Sequence, residues 1–138
     1  MASVIYNRLF YDIAAKLVNL DTDTIYCALL GAGYTPNKDH NVWADVSGQE
    51  IAAGGGYIAG GALMNTSLTE DDVNDRVVFT AVDVEWNPST ITASYAVVYD
   101  TTHDTLICCI DFAGAKSSAG GSFKIVWSAN GIVRYYQP

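Results

Sequence analysis

The chain has 138 residues, half of them hydrophobic and 16% charged, which suits one sizeable core and is too short for two ordinary domains. That balance excludes a disordered polymer, and no run approaches the roughly 20 apolar residues that a membrane helix requires. The formal charge of −8, with only seven scattered Lys and Arg, argues against nucleic acid and anionic membranes as partners, because both need clustered cations.

Met1 to Arg8 lacks a basic region followed by an apolar run, so no secretory leader is expected and synthesis in a cytoplasm is the default. Ile5, Leu9, Ile13 and Leu17 recur at spacings of four, widened by Phe10 and Ala14. This pattern predicts one amphipathic helix over about 4–18, with Ser3 as its N-cap. Beyond residue 22 the chain reads as strand and loop. "TIYCALL" (24–30) is a β-branched and aromatic run that ends at Gly31-Ala32-Gly33. Residues 31–61 then form a long glycine-rich loop with a turn at Pro36-Asn37-Lys38-Asp39. Loops of this length are uncommon in compact domains, so ordering by a neighbouring molecule is expected.

"RVVFTAVDVEWN" (76–87) alternates, with Val82, Val84 and Trp86 on one face, Asp83 and Glu85 on the other, and Pro88-Ser89 as its end. "ITASYAVVYD" (91–100) and "TLICCIDF" (105–112) are apolar on both faces and flank the polar turn 100–104, which predicts a hairpin central in a sheet. Asn130-Gly131 between alternating runs predicts a second hairpin with a type I′ turn. The expected fold is mainly β: one domain over 1–138, with six to eight antiparallel strands in a sandwich or flattened barrel and an N-terminal helix. Cys27, Cys108 and Cys109 fit no zinc spacing, and adjacent strand residues point apart, so they read as reduced and mostly buried.

The octapeptide "GGGYIAGG" (54–61) raises the question of a phosphate loop. Gly55 and Gly60 have the Walker A gap, but Gly61 and Ala62 stand where lysine and a hydroxyl are required, and no helix period follows. The dinucleotide pattern lacks its βαβ context. The glycines are therefore expected to permit turns and close backbone crossings around Tyr57. His40 and His103 read as solvated loop residues without a nucleophile signature. Asp21, Asp23 and the run from Glu70 to Asp75 read as solvated acidic loops, because the glycine and distal glutamate of a calcium loop are missing. No catalytic, cofactor-binding or metal-binding residue is predicted, and the chain is not expected to be an enzyme.

Several blocks in order carry a likeness: "YNRLFYDIAAKLVNLDTDTIYCALL", "YTPNKDHNVWADV", "GGGYIAGG", "LTEDDVNDRVVFTAVDVEW", "YAVVYDTTHDTLICCIDF" and "GSFKIVWSANGI". Together they cover nearly the whole chain, which resembles a family of small tailed-bacteriophage virion proteins labelled minor structural or capsid decoration proteins. The resemblance implies a capsid decoration (cement) role in the virion, binding the major capsid protein outside the head and bridging subunits, with many repeated contacts. A tail, baseplate or fibre-associated adaptor is the alternative. It carries no functional residues over. Contact candidates come from residue type: Tyr34, Trp43, Tyr57, Tyr135 and Tyr136, with core packing the more expected role for Tyr57. A homo-oligomer, with a trimer as the symmetric guess, completes the expectation.

Overall fold

The computed structural model describes residues 3–136. The chain is mainly β, 46% strand and 10% helical, built from antiparallel sheets with one α-helix. The sheets do not close into a barrel, which corrects that half of the expected architecture. The principal sheet has five strands in the order β1-β8-β7-β2-β3: β1 is Val4–Ile5, β2 Ile25–Leu30, β3 Ala62–Leu63, β7 Thr92–Asp100 and β8 Thr105–Ser117. The predicted hairpin is β7–β8, and β7 lies at the sheet's centre. Its residues, apolar on both faces, are buried on both, since an antiparallel sheet needs apolar side chains on each covered face. Cys108 and Cys109 show the alternation directly. They sit in two different apolar clusters on opposite faces, and all three cysteines are free and buried.

One face of this sheet packs against the helix and the two smaller sheets. These are β10-β5-β4 (Val133–Tyr136, Arg76–Ala81, Thr66–Asp71) and β6-β9 (Val84–Ser89, Gly121–Ile125). The other face is covered by the loop after β2, through Tyr34, Val46 and the half-buried Trp43. That loop contains two short 3-10 turns and is pinned by hydrogen bonds from its own chain. Gly31 N–H donates to Gln49 O at 2.9 Å, Ile51 N–H to Leu29 O at 3.1 Å and Leu106 N–H to Asn41 O at 3.0 Å.

The helix α1 spans Asn7–Ala14, about half the predicted length. Ser3 does not cap it. Residues 4–5 pair with β8 instead, and Ser3 Oγ accepts the Asp111 N–H at 3.0 Å. The C-terminus closes in a Schellman motif. Lys16 N–H donates to Ile13 O and Leu17 N–H to Asp12 O, with Lys16 at φ 61°, so the residues beyond Ala14 leave the helical path.

Two strand predictions change. The run 76–87 divides into β5 and β6, which belong to different sheets. Val82 at the corner is exposed, away from the buried Val84 and Trp86. β6 continues through Pro88, with an irregular register between Trp86 and Ser89. Asn130-Gly131 is a turn (Gly131 N–H to Ser128 O, 2.9 Å) but not a type I′ hairpin. Only Gly131 has positive φ, and the flanking strands β9 and β10 lie in separate sheets.

The glycine-rich segment behaves as the missing lysine implied. Gly54 and Tyr57 close a tight turn by reciprocal backbone bonds of 2.9 and 3.1 Å. A Cβ on Gly55, Gly56 or Gly61 would overlap the carbonyl oxygens of Thr90, Pro88 and Cys27 respectively, so these positions are backbone crossings.

Candidate contact surface

The five aromatic candidates separate into three cover or core residues and two at the surface. Tyr34 is buried. Its hydroxyl lies 2.8 Å from the Tyr6 hydroxyl and 3.0 Å from His40 Nδ1, and its ring meets Tyr95 edge-on. Trp43 is half-buried and stacks on Tyr99 at 4.5 Å. Tyr57 is buried, accepting the Leu29 N–H and donating to Glu50 Oε2, with burial the leading cause that raises its hydroxyl's pKa. Tyr34 is therefore corrected from a contact residue to a packing residue, and Tyr57 takes the core role expected of it. An aromatic in a loop of this length is enclosed when the loop itself is the second wall of a core.

Tyr135 and Tyr136 lie on β10, an edge strand. The register Glu70↔Val77↔Tyr135 and Leu68↔Phe79↔Val133 puts these residues on the inner face of the three-stranded sheet. Arg76, Asp71 and Tyr136 share the outer face. Phe79 and Val133 are buried beneath α1 and the main sheet. Towards the other end the helix stops short, and an open groove of about 460 Å³ remains, walled by the apolar Ile13, Val18, Leu20, Leu68, Val77 and Tyr135 together with Lys16 and Asn19. Phe10 leans edge-on against Tyr135 at 6.5 Å and is 49% exposed. Leu17 and Tyr136 are also exposed nearby in the chain. The Tyr135 hydroxyl is buried without a hydrogen-bond partner, and burial pushes its pKa up to about 12.

Val77 and Tyr135 also line a second cleft of about 310 Å³, whose other walls include Glu70, Asp71, Asp72 and Asp75. Asp71 is held below the usual carboxylate range by hydrogen bonds from Asn74 and Arg76. The apolar groove thus has an acidic rim. Sequence reasoning found Tyr135 and Tyr136 but missed Phe10, Leu17 and Leu68. It assigned the first two to a helix stripe, whereas Leu17 lies beyond the end of α1 and Phe10, inside it, is half exposed.

His103 is the exposed turn residue expected, its side chain 41% exposed and its Nε2 3.6 Å from Asp23 Oδ2. His40 is not freely solvated: it is half-buried and bonded to the Tyr34 hydroxyl. Neither is paired with a serine or cysteine among the described residues. Nor do those residues include a group of three or more His, Cys, Asp or Glu placed to hold a metal ion. No helix among them is long and apolar enough to cross a membrane. Comparison with known proteins finds no matching family model, no matching curated protein and no matching solved structure.

Proposed function

We propose that this chain is a bacteriophage virion structural protein, a capsid decoration or cement protein that binds the head shell and stabilises it without catalysis. The resemblance of the ordered sequence blocks motivates the reading. The observation that carries it is the apolar groove between α1 and β10-β5-β4, with its acidic rim and the unpartnered Tyr135 hydroxyl on its wall. Exposed aromatic and aliphatic side chains beside a desolvated pocket are what contact hot spots are made of. In this reading the sheets form a sandwich whose thin side faces the major capsid protein. The chain binds as a homo-oligomer, a trimer by symmetry.

Copy number in purified virions tests the assignment. Quantitative mass spectrometry should return hundreds of copies per particle. Copies in threes, sixes or twelves would move the chain to the tail or baseplate as an adaptor, and absence from the virion would overturn the reading. Leu68→Asp places a charge in the groove at a residue 36% exposed. It should abolish binding to shells that lack the chain, while thermal unfolding shifts by only a few degrees.

A further inference from the structure

Towards its end β8 carries more residues than its partner β7. The register passes from Tyr95↔Asp111 to Ala93↔Lys116, five steps along β8 against two along β7. The surplus forms a bulge, with Ala113 at φ 58° and Gly114 at φ 125° in its bend. Among the described residues β1 covers the other edge of β8 only at Cys108 and Cys109. The chain then turns and returns as β9, which pairs with β6 and not with β8. A cleft of about 380 Å³ stands open between the two strands. It shares no lining residue with the groove beside α1.

Phe112 and Lys116 stand on the β8 wall. The β9 wall is an unbroken succession of residues, 122–126. Side chains alternate along a strand, and here Phe123 and Ile125 are buried while Lys124 and Val126 are exposed. A cleft that meets both sets in succession runs along the strand's backbone edge. That edge has no partner strand among the described residues, so its outward N–H and C=O groups are open to another chain. The charge of the cleft is the reverse of the chain's. Lys116 and Lys124 line it and no acidic residue does, in a chain of net charge −8 with only seven basic residues. Lys116 is exposed, and no ion pair reaches it among the described residues. Lys124 Nζ meets Asp83 Oδ2 only at 3.8 Å, a solvated pair of little weight. Glu85, across from Lys124 on β6, accepts the Ser122 hydroxyl.

We propose that the outer edge of β9 is a strand-addition site for an extended, acidic segment of a partner protein. The segment's backbone adds a third strand to the β6-β9 sheet, its apolar side chains rest against Phe112, and its carboxylates meet Lys116 and Lys124. Main-chain hydrogen bonds supply the affinity of such a contact and the flanking side chains its selectivity. The lysines also explain why the occupant is not the same edge of a second copy. Two β9 strands paired about a two-fold axis would bring like charges together, which is how edge lysines oppose self-pairing. The charge that repels a copy attracts an acidic strand. The bulge in β8 keeps the site open, because it takes the end of that strand out of simple register beside β9.

NMR titration of the full chain with an end-blocked peptide of about six residues, alternating valine and glutamate, tests the site. Amides of residues 122–126 should shift and exchange more slowly, and affinity should fall about tenfold between low and high salt. A valine–lysine peptide should not bind. N-methylation of one alternate set of peptide residues should abolish binding and of the other set leave it, since a strand docked by one edge donates only from every second residue. The double variant Lys116→Gln, Lys124→Gln should bind about tenfold more weakly with its melting little changed, because both lysines are exposed. No response at 122–126 with millimolar peptide, or equal binding of the lysine peptide, would overturn the proposal. So would self-association of the free chain through these amides, which would give the edge to a second copy.

Discussion

The five-stranded and three-stranded sheets share one core and end in opposite states. The five-stranded sheet is covered on both faces, and its two edges are closed by strands of two residues each, β1 and β3. Short edge strands leave little unpaired backbone for another chain to join. The three-stranded sheet buries Phe79 and Val133 but leaves β4, six residues long and mostly exposed, as one free edge and β10 as the other. Its inner face runs from the core into the groove. The lesson is that one sheet holds the fold together, and the other spends part of its apolar face outside the core, where a partner can use it.

If that division is right, substitutions should differ in kind between the regions. The largest effect is expected where the glycine-rich segment crosses the main sheet. Gly61→Ala drives a Cβ into the backbone of Cys27 and Ala28 at a φ of +90°. It should cost more than about 3 kcal/mol in chemical denaturation or prevent folding, since backbone strain and overpacking add. Gly60→Ala, with only the Tyr99 hydroxyl nearby, should cost about 1 kcal/mol from φ alone. Equal losses at the two positions would show that conformation rather than close approach governs the segment.

Next comes Ile107→Ala in β8, fully buried and expected to cost about 2–5 kcal/mol. Leu68→Ala at the groove should cost under about 1 kcal/mol, because its side chain is already partly solvated. A similar cost at both sites would erase the distinction between the sheets. The smallest effect sharpens the groove wall. Lys16→Gly relieves a lysine held at φ 61° in the helix's Schellman turn and should stabilise the chain by about 0.5–1 kcal/mol while removing one lining side chain from the groove.

Much of the five-stranded sheet was legible in the sequence. Doubly apolar runs at 91–100 and 105–112, separated by a polar turn, can only be strands covered on both sides, and the adjacent cysteines confirm it face by face. The helix was legible in kind but not in length. The spacing of Ile5, Leu9, Ile13 and Leu17 says nothing of the pairing that takes Val4 and Ile5 into a strand, or of the left-handed Lys16 that ends the helix. Asn130-Gly131 misled because a turn residue fixes local φ but not which sheet receives the strand after it. The contact surface was half legible. The C-terminal tyrosines were expected at the surface, whereas Leu17 surfaces because the helix ends at Ala14, Phe10 is half exposed within α1, and Leu68 lies on the edge strand β4.

Amide hydrogen exchange, on the free chain and on intact virions carrying it, bears most directly on the division between a holding sheet and a contacting one. In the free chain, β7 and β8 amides should exchange only through global unfolding, while the edge amides of β4 and β10 exchange through local opening. On the virion, β4, β10 and α1 should gain protection and the loop over the main sheet should not. Unchanged exchange at β4 and β10, or new protection confined to that loop, would contradict the assignment of the groove as the face that meets the particle.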